Sequence, residues 1–209
     1  SVIALILFIL MSVIHFGLCD WSYLGLKKYK WSVSLTHGLN IVFGIIFFHT
    51  NETFEIFTFL SNLSFNQFQE YLYIVYICYF FLLIRYAYLA IKFTKLRWGI
   101  LEMSIILLVI FLTEPLVAFS IYFCFIHTFK HVKSILKDTS KYLSNNKFIT
   151  ITTISFTILT WVGGSLAIIY LHKSFSFDES FIKTLFIGLA ALTLPHMTLV
   201  DIFYRRKFN

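Results

Sequence analysis

Long apolar runs separated by short charged segments begin at the second residue and continue to the C-terminal end. Seven of these runs have the length of a helix, and none alternates with the period of two that a half-buried strand shows. They are predicted at Val2 to Cys19, Trp31 to Phe48, Tyr71 to Ile91, Trp98 to Leu112, Pro115 to about Leu136, and Phe148 to Leu171. A seventh follows Asp178 and Glu179 and ends before Arg205. The segment carrying Glu52, Glu55 and Glu70 reads as a loop, and Thr113-Glu114-Pro115 as a tight corner with Pro115 in the first turn of the next helix. Because lipid offers no partner to a backbone polar group, the pattern predicts an all-α fold, a polytopic transmembrane helix bundle of about seven spans.

Composition narrows this further. Of 209 residues 59% are hydrophobic and only 13% charged, with a mean hydropathy of +0.83. A soluble domain of this length cannot hide so much apolar surface. The formal charge of +7 suggests no nucleic acid, because the basic residues fall in short inter-helix loops. Basic clusters follow the first, third, fifth and seventh runs, and acidic residues dominate the loops after the second, fourth and sixth. The positive-inside rule then puts the C-terminus in the cytoplasm and residue 1 outside. Cys19, Cys78 and Cys124 lie singly in apolar runs, so no disulfide is implied. With no internal repeat or linker, residues 1–209 read as one integral-membrane domain. Ser1 enters an apolar run with no charged n-region, which reads as a chain begun within a longer one, not as a signal peptide. Asn51-Glu52-Thr53 and Asn62-Leu63-Ser64 match the glycosylation pattern in an outer loop.

This topology gives the histidines meaning. His15, His37, His127, His131 and His196, five of the seven, fall in the cytoplasmic half of the bundle, while His49 and His172 lie at the outer boundary as solvated interfacial groups. His127 and His131, at helical spacing i and i+4, share one face about 6 Å apart along the axis. Ionisable residues at membrane depth are functional candidates by default. Imidazoles without nearby thiolates suit iron, zinc, copper or nickel. Asp20, Glu102 and Asp201 are the nearest carboxylates, each able to orient an imidazole or simply to cap a helix. Arg85 is expected to form a structural ion pair, with Glu102 as one partner and snorkelling toward Lys92 as the other solution. The 26 Phe and 12 Tyr read mainly as bundle packing, with an aromatic tunnel for a long polyene as the sharper reading.

Three segments together resemble one family. His15-Phe16-Gly17-Leu18-Cys19-Asp20 is similar to an HFGxxD motif, and Glu114 to Val132 to a PLxAFxxYFxxxHSxxH segment, with Thr128 where Ser is usual. Leu194-Pro195-His196-Met197 resembles a late PHM motif. In this order they resemble the Brp/Blh family of membrane β-carotene 15,15′-dioxygenases, which make retinal for microbial rhodopsins. The resemblance covers nearly the whole chain. It implies a non-haem Fe(2+) held by histidines in the cytoplasmic half of a prokaryotic cell membrane, and cleavage of the central double bond of β-carotene by O2 into two retinals. His15, His127 and His131 become the expected ligands. His196 is either a ligand or a close neighbour of one, with Asp20, His37 and Asp201 as supporting groups. Family members carry an earlier HGxxD motif on a preceding helix, and none precedes His15 here. Either one ligand lies upstream of this chain, or His196 or His37 completes the set. Substrate is expected to enter from membrane lipid, and retinal to pass to a rhodopsin. The competing class is a seven-helix retinal- or haem-binding membrane protein without dioxygenase activity. Against a retinal Schiff base, Lys183 stands too near the start of the last run.

Overall fold

The computed structural model describes residues 2–21, 24, 27–61, 64–139 and 146–208, and every regular element among them is helical. In chain order these are α1 (Val2–Asp20), a 3-10 turn (Lys27–Tyr29), α2 (Lys30–Phe48), α3 (Thr50–Ser61), α4 (Phe65–Lys92) and α5 (Thr94–Leu112). Then follow α6 (Pro115–Ile121), a π-helical turn (Tyr122–His127), α7 (Thr128–Thr139), α8 (Asn146–Leu171) and α9 (Phe177–Phe208). Five stretches are long and apolar enough to cross a membrane: Val2–Asp20, Lys30–Phe48, Phe65–Lys92, Pro115–Lys133 and Thr150–Leu171. Helices also form where the other two runs were expected, but α5 carries Lys95, Arg97 and Glu102, and α9 opens on Asp178 and Glu179.

The chain divides into two compact units, Ser1–Ile135 and Leu136–Asn209. In the first, α2 is the central element and packs on α1, α3, α4, α5 and α6. Its crossing with α1 is close because two glycines face backbone. A Cβ on Gly17 would stand 2.0 Å from the carbonyl oxygen of Ser34, and one on Gly38 would stand 1.9 Å from that of Val13. Such small-residue contacts let helices associate where lipid removes the hydrophobic drive between them. One apolar cluster joins Phe16, Val33, Ile41, Tyr86, Leu96, Ile106 and Tyr122 across α1, α2, α4, α5 and the π turn. A second, around Leu5, Val13, Phe43, Phe57 and Phe68, draws in α3.

The acidic segment expected as a loop is thus α3 and the first turns of α4. Thr53, Phe57 and Ser61 supply α3 with one buried face at helical spacing. Ser64 and Gln67 form a capping box that starts α4 six residues before the hydropathy onset at Tyr71. Asn62 and Leu63 of the second glycosylation pattern lie outside the described residues, as does Lys141; Asn51 is in the first turn of α3. The corner at Thr113-Glu114-Pro115 forms as expected, with both preceding residues extended and Pro115 at the first helical position.

Polar side chains tie the helices inside the apolar unit. Tyr79 Oη donates to Asn40 Oδ1 at 2.7 Å, and Asn40 Nδ2 donates to the Met103 carbonyl at 3.4 Å, which links α4, α2 and α5. Replacing Asn40 with Ala strands both partners in an almost dry site, and is expected to lower unfolding free energy in detergent by about 1–2 kcal/mol. His49 is not simply solvated: its Nε2 donates to the Ile110 carbonyl at 2.8 Å, because the α5 terminus has carbonyls with no intrahelical partner. Arg97 Nε donates to the Ala90 carbonyl at 3.2 Å and closes the α4–α5 corner in the same way. Arg85, by contrast, is exposed, and Glu102 pairs with Lys130, a partner farther along the chain than the Arg85 expected for it.

In the second unit α8 and α9 pack on each other. Ser176 and Glu179 exchange side-chain to backbone bonds at the start of α9, a capping box that fixes where it begins. Pro195 lies inside α9, where its missing N–H withdraws one backbone bond. Many rings expected to fill the bundle face outward, among them Phe81, Trp161 and Tyr170 at 65%, 75% and 72% exposure. A bilayer is a sufficient solvent for them.

Candidate metal centre

The last turns of α1 and the π turn meet, and their polar side chains meet with them. His15, Phe16, Gly17 and Asp20 are all buried on α1. Tyr122 and His127, the first and last residues of the π turn, are buried opposite them. The extra residue in a π turn shifts the following side chains off the α-helical register. Thr128 marks that register: its backbone N–H and its Oγ1 both reach the carbonyl of Phe123, five residues back.

Asp20 is the hub. Its side chain is fully buried and faces His127 Nδ1 at 2.9 Å through Oδ1 and 3.1 Å through Oδ2. Tyr122 Oη donates to Oδ2. A carboxylate accepting from Nδ1–H fixes the imidazole tautomer and leaves Nε2 bare as a donor to a metal. His15 Nδ1 lies 3.6 Å from Cys19 Sγ on the next turn. Phe16 completes the frame, with its ring 5.3 Å from Tyr122 and 5.0 Å from His127, both edge-on. Phe123 stacks on His127 from within the π turn at 5.3 Å.

Three of the expected imidazoles come together. Ring centroids are 5.1 Å apart for His15 and His127, 5.7 Å for His127 and His131, and 6.4 Å for His15 and His131. Rings sharing one ion, each through a nitrogen about 2.1 Å from it, would have centroids about 4.5–5.5 Å apart. Among the described residues no three His, Cys, Asp or Glu groups already stand in coordinating geometry, and both pairs that involve His131 are wider than this range. The donor chemistry fits: three imidazoles meet, Asp20 orients His127 through Nδ1, and the half-buried His131 comes from the same segment one turn on.

Within the first unit, His37 is placed apart from this group. His37 is fully buried between α2, α4 and α5. Its ring stacks on Trp21 with centroids 3.6 Å apart, and Nε2 meets Tyr86 Oη at 2.9 Å. Tyr86 in turn donates to the Leu96 carbonyl at 3.3 Å, so its hydroxyl accepts from His37 Nε2–H. Gly99 leaves room for that pair, since a Cβ there would meet Tyr86 Oη at 2.2 Å. His37 thereby joins the end of α1 to α2 and α4. His196 lies half-buried on α9, in the second unit. Asp201 is on the same helix, and its side chain lies outside the described set.

Sequence reasoning missed Tyr122, Trp21 and Lys130. Lys130 Nζ pairs with Glu102 Oε1, sits over the Trp21 ring at 4.2 Å and donates to the Asp20 backbone carbonyl at 3.5 Å. The signal was present, since a lysine between two histidines at the end of an apolar run and a lone glutamate in the middle of α5 each need an opposite charge.

Among the described residues, apolar helices, five of them long enough to cross a membrane, with a carboxylate-oriented imidazole buried among other histidines, define a class of helical proteins with a histidine-rich site. Residues 2–204 match the family model described as beta-carotene 15,15′-dioxygenase, and the chain belongs to that family of enzymes. It is 29% identical over 202 residues to the beta-carotene 15,15′-dioxygenase of uncultured marine bacterium 66A03, a match that spans 97% of this chain and 72% of the relative. No solved structure matches the chain.

Proposed function

We propose that this protein cleaves the central double bond of β-carotene with O2 to give two retinals, at an Fe(2+) held by His15, His127 and His131. Membership of the dioxygenase family carries the reaction, and the meeting of three imidazoles around the buried Asp20 supports the location. Bound iron would supply the O2 chemistry, which imidazole, phenol and carboxylate groups do not perform by themselves. The chain's own part is orientation and exclusion. Asp20 and Tyr122 fix the His127 tautomer, and the Phe16 and Phe123 rings keep water from that side. From its sequence motif alone, His196 is a further candidate ligand. Substrate reaches the site from membrane lipid, and the product is a candidate cargo for a rhodopsin.

In this reading the chain crosses a prokaryotic cell membrane seven times, α5 and α9 included. The C-terminus is cytoplasmic, and the site lies toward the cytoplasmic side, where α1, α4 and α6–α7 end beside basic residues. Retinal measured by chromatography in cells that accumulate β-carotene tests the reaction. Expression of this chain is expected to yield retinal, and the His127→Ala variant to yield at least about 100-fold less, as for loss of a group on which the chemistry depends. Equal retinal from the variant and the parent would sink the assignment of the site. Absence of retinal from both, with the protein present in the membrane, would sink the reaction.

A further inference from the structure

We propose that Glu102, acting through Lys130, is a positioning residue for the imidazole cluster. The proposal rests on the reading of that cluster as metal-binding. Lys130 stands between His127 and His131 in the chain, and its ammonium joins three elements: Glu102 on α5, the backbone carbonyl of Asp20 at the end of α1 (3.5 Å), and the Trp21 ring just beyond it (4.2 Å).

The placement follows from helix physics. The last carbonyls of α1 lack intrahelical partners and carry the negative end of the helix dipole, so a cation is stabilised there. The residue whose carbonyl receives Lys130 is also the one whose carboxylate receives His127 Nδ1. Asp20 is therefore tied to the π turn and α7 at two points, by side chain and by backbone. Two ties fix both the distance and the rotation of the end of α1 against that segment, and with them the spacing of His15 from His127 and His131.

Glu102 makes the second tie stable. The side chains of Lys130 and Glu102 are only 28% and 29% exposed, and α5 otherwise offers apolar groups at this level. Without Glu102 an ammonium in an apolar bundle snorkels to the interface, about half a turn of helix away for a chain of four methylenes. That motion releases the Asp20 carbonyl and leaves the carboxylate–imidazole tie to hold α1 alone.

The test uses Glu102→Gln, Lys130→Met and Lys130→Arg in the full chain, with cobalt(II) as the metal probe. Glu102→Gln is expected to weaken cobalt binding about 10-fold, the scale for groups that orient metal ligands, and Lys130→Met to weaken it further. Lys130→Arg keeps a cation that can reach Glu102 and is expected to behave as the parent. A second readout needs no metal: the low-field proton resonance of His127 Nδ1–H, assigned by its loss in His127→Ala. It is expected to shift or broaden in Glu102→Gln and Lys130→Met and to be unchanged in Lys130→Arg. A merely structural ion pair would lower thermal stability and leave both readouts unmoved, and that result would overturn the proposal. Should the parent itself take no cobalt, the metal reading fails, and the Nδ1–H resonance alone decides the positioning role. Should Lys130→Met not fold, Glu102→Gln, which keeps the side chain's shape, decides it.

Discussion

Asp20→Ala is expected to weaken metal binding by about 10- to 100-fold, the scale for removing a group that orients a ligand, and to cut retinal formation at least in proportion. The carboxylate is fully buried and shared by His127 Nδ1 and Tyr122 Oη. Without it the imidazole is free to take either tautomer and to turn, and the Tyr122 hydroxyl loses its acceptor in a dry site. Asp20→Asn separates the two effects. The amide is nearly isosteric and can still accept from Nδ1–H through its oxygen, but it removes the charge that makes the imidazole more basic. It should fold as the parent does and lose a smaller share of metal affinity. Tyr122→Phe keeps the ring against Phe16 and deletes only the hydroxyl, so it should rank between Asp20→Asn and the parent. Isothermal titration with cobalt(II), read beside retinal yield, gives the order.

Gly17→Ala is expected to destabilise the first unit by at least about 3 kcal/mol, the upper end of overpacking costs, and to lower the yield of folded protein sharply. The new methyl carbon would stand 2.0 Å from the Ser34 carbonyl oxygen and 2.6 Å from the carbonyl carbon, both backbone atoms of a packed helix. No rotamer change relieves that contact, so α1 and α2 must part. Gly38→Ala makes the mirror-image clash with Val13 and should do the same. Gly44 is the control: a Cβ there meets the Leu107 side chain at 2.8 Å, a flexible group that can move, and Gly44→Ala should cost far less. Because Gly17 lies two residues from His15 and three from Asp20, whatever Gly17→Ala protein does fold should also bind cobalt poorly, whereas folded Gly44→Ala should bind it normally. Thermal unfolding in detergent and cobalt titration on the same samples distinguish the two.

Hydropathy and loop charge show the helices because a bilayer leaves the chain few alternatives. Both the apolar runs and the corner at Pro115 appear where the pattern puts them. α3 was invisible to that reading, since its buried face is only Thr53, Phe57 and Ser61 among carboxylates and polar groups. The cluster itself was half legible. The spacing of His127 and His131 placed both on one face, and the motif residues His15 and Asp20 meet them across the unit. What spacing alone could not show is the π turn, because one inserted backbone bond leaves no mark in residue type. Nor could it assign partners to charges. Glu102 is nearer in the chain to Arg85 than to Lys130, and only the approach of Lys130 on α7 to Glu102 on α5 decides between them. His37 had partners that spacing could not name, the Trp21 ring and the Tyr86 hydroxyl.

The central claim is that one iron is held by His15, His127 and His131. X-ray absorption at the iron edge of purified protein loaded with Fe(2+), beside the His15→Ala, His127→Ala and His131→Ala variants, tests it most directly. The account predicts light-atom ligands at about 2.1 Å with the outer-shell scattering of imidazole rings, and loss of that scattering together with most of the iron in each variant. Iron bound in the same amount, with an unchanged spectrum, in all three variants would contradict it.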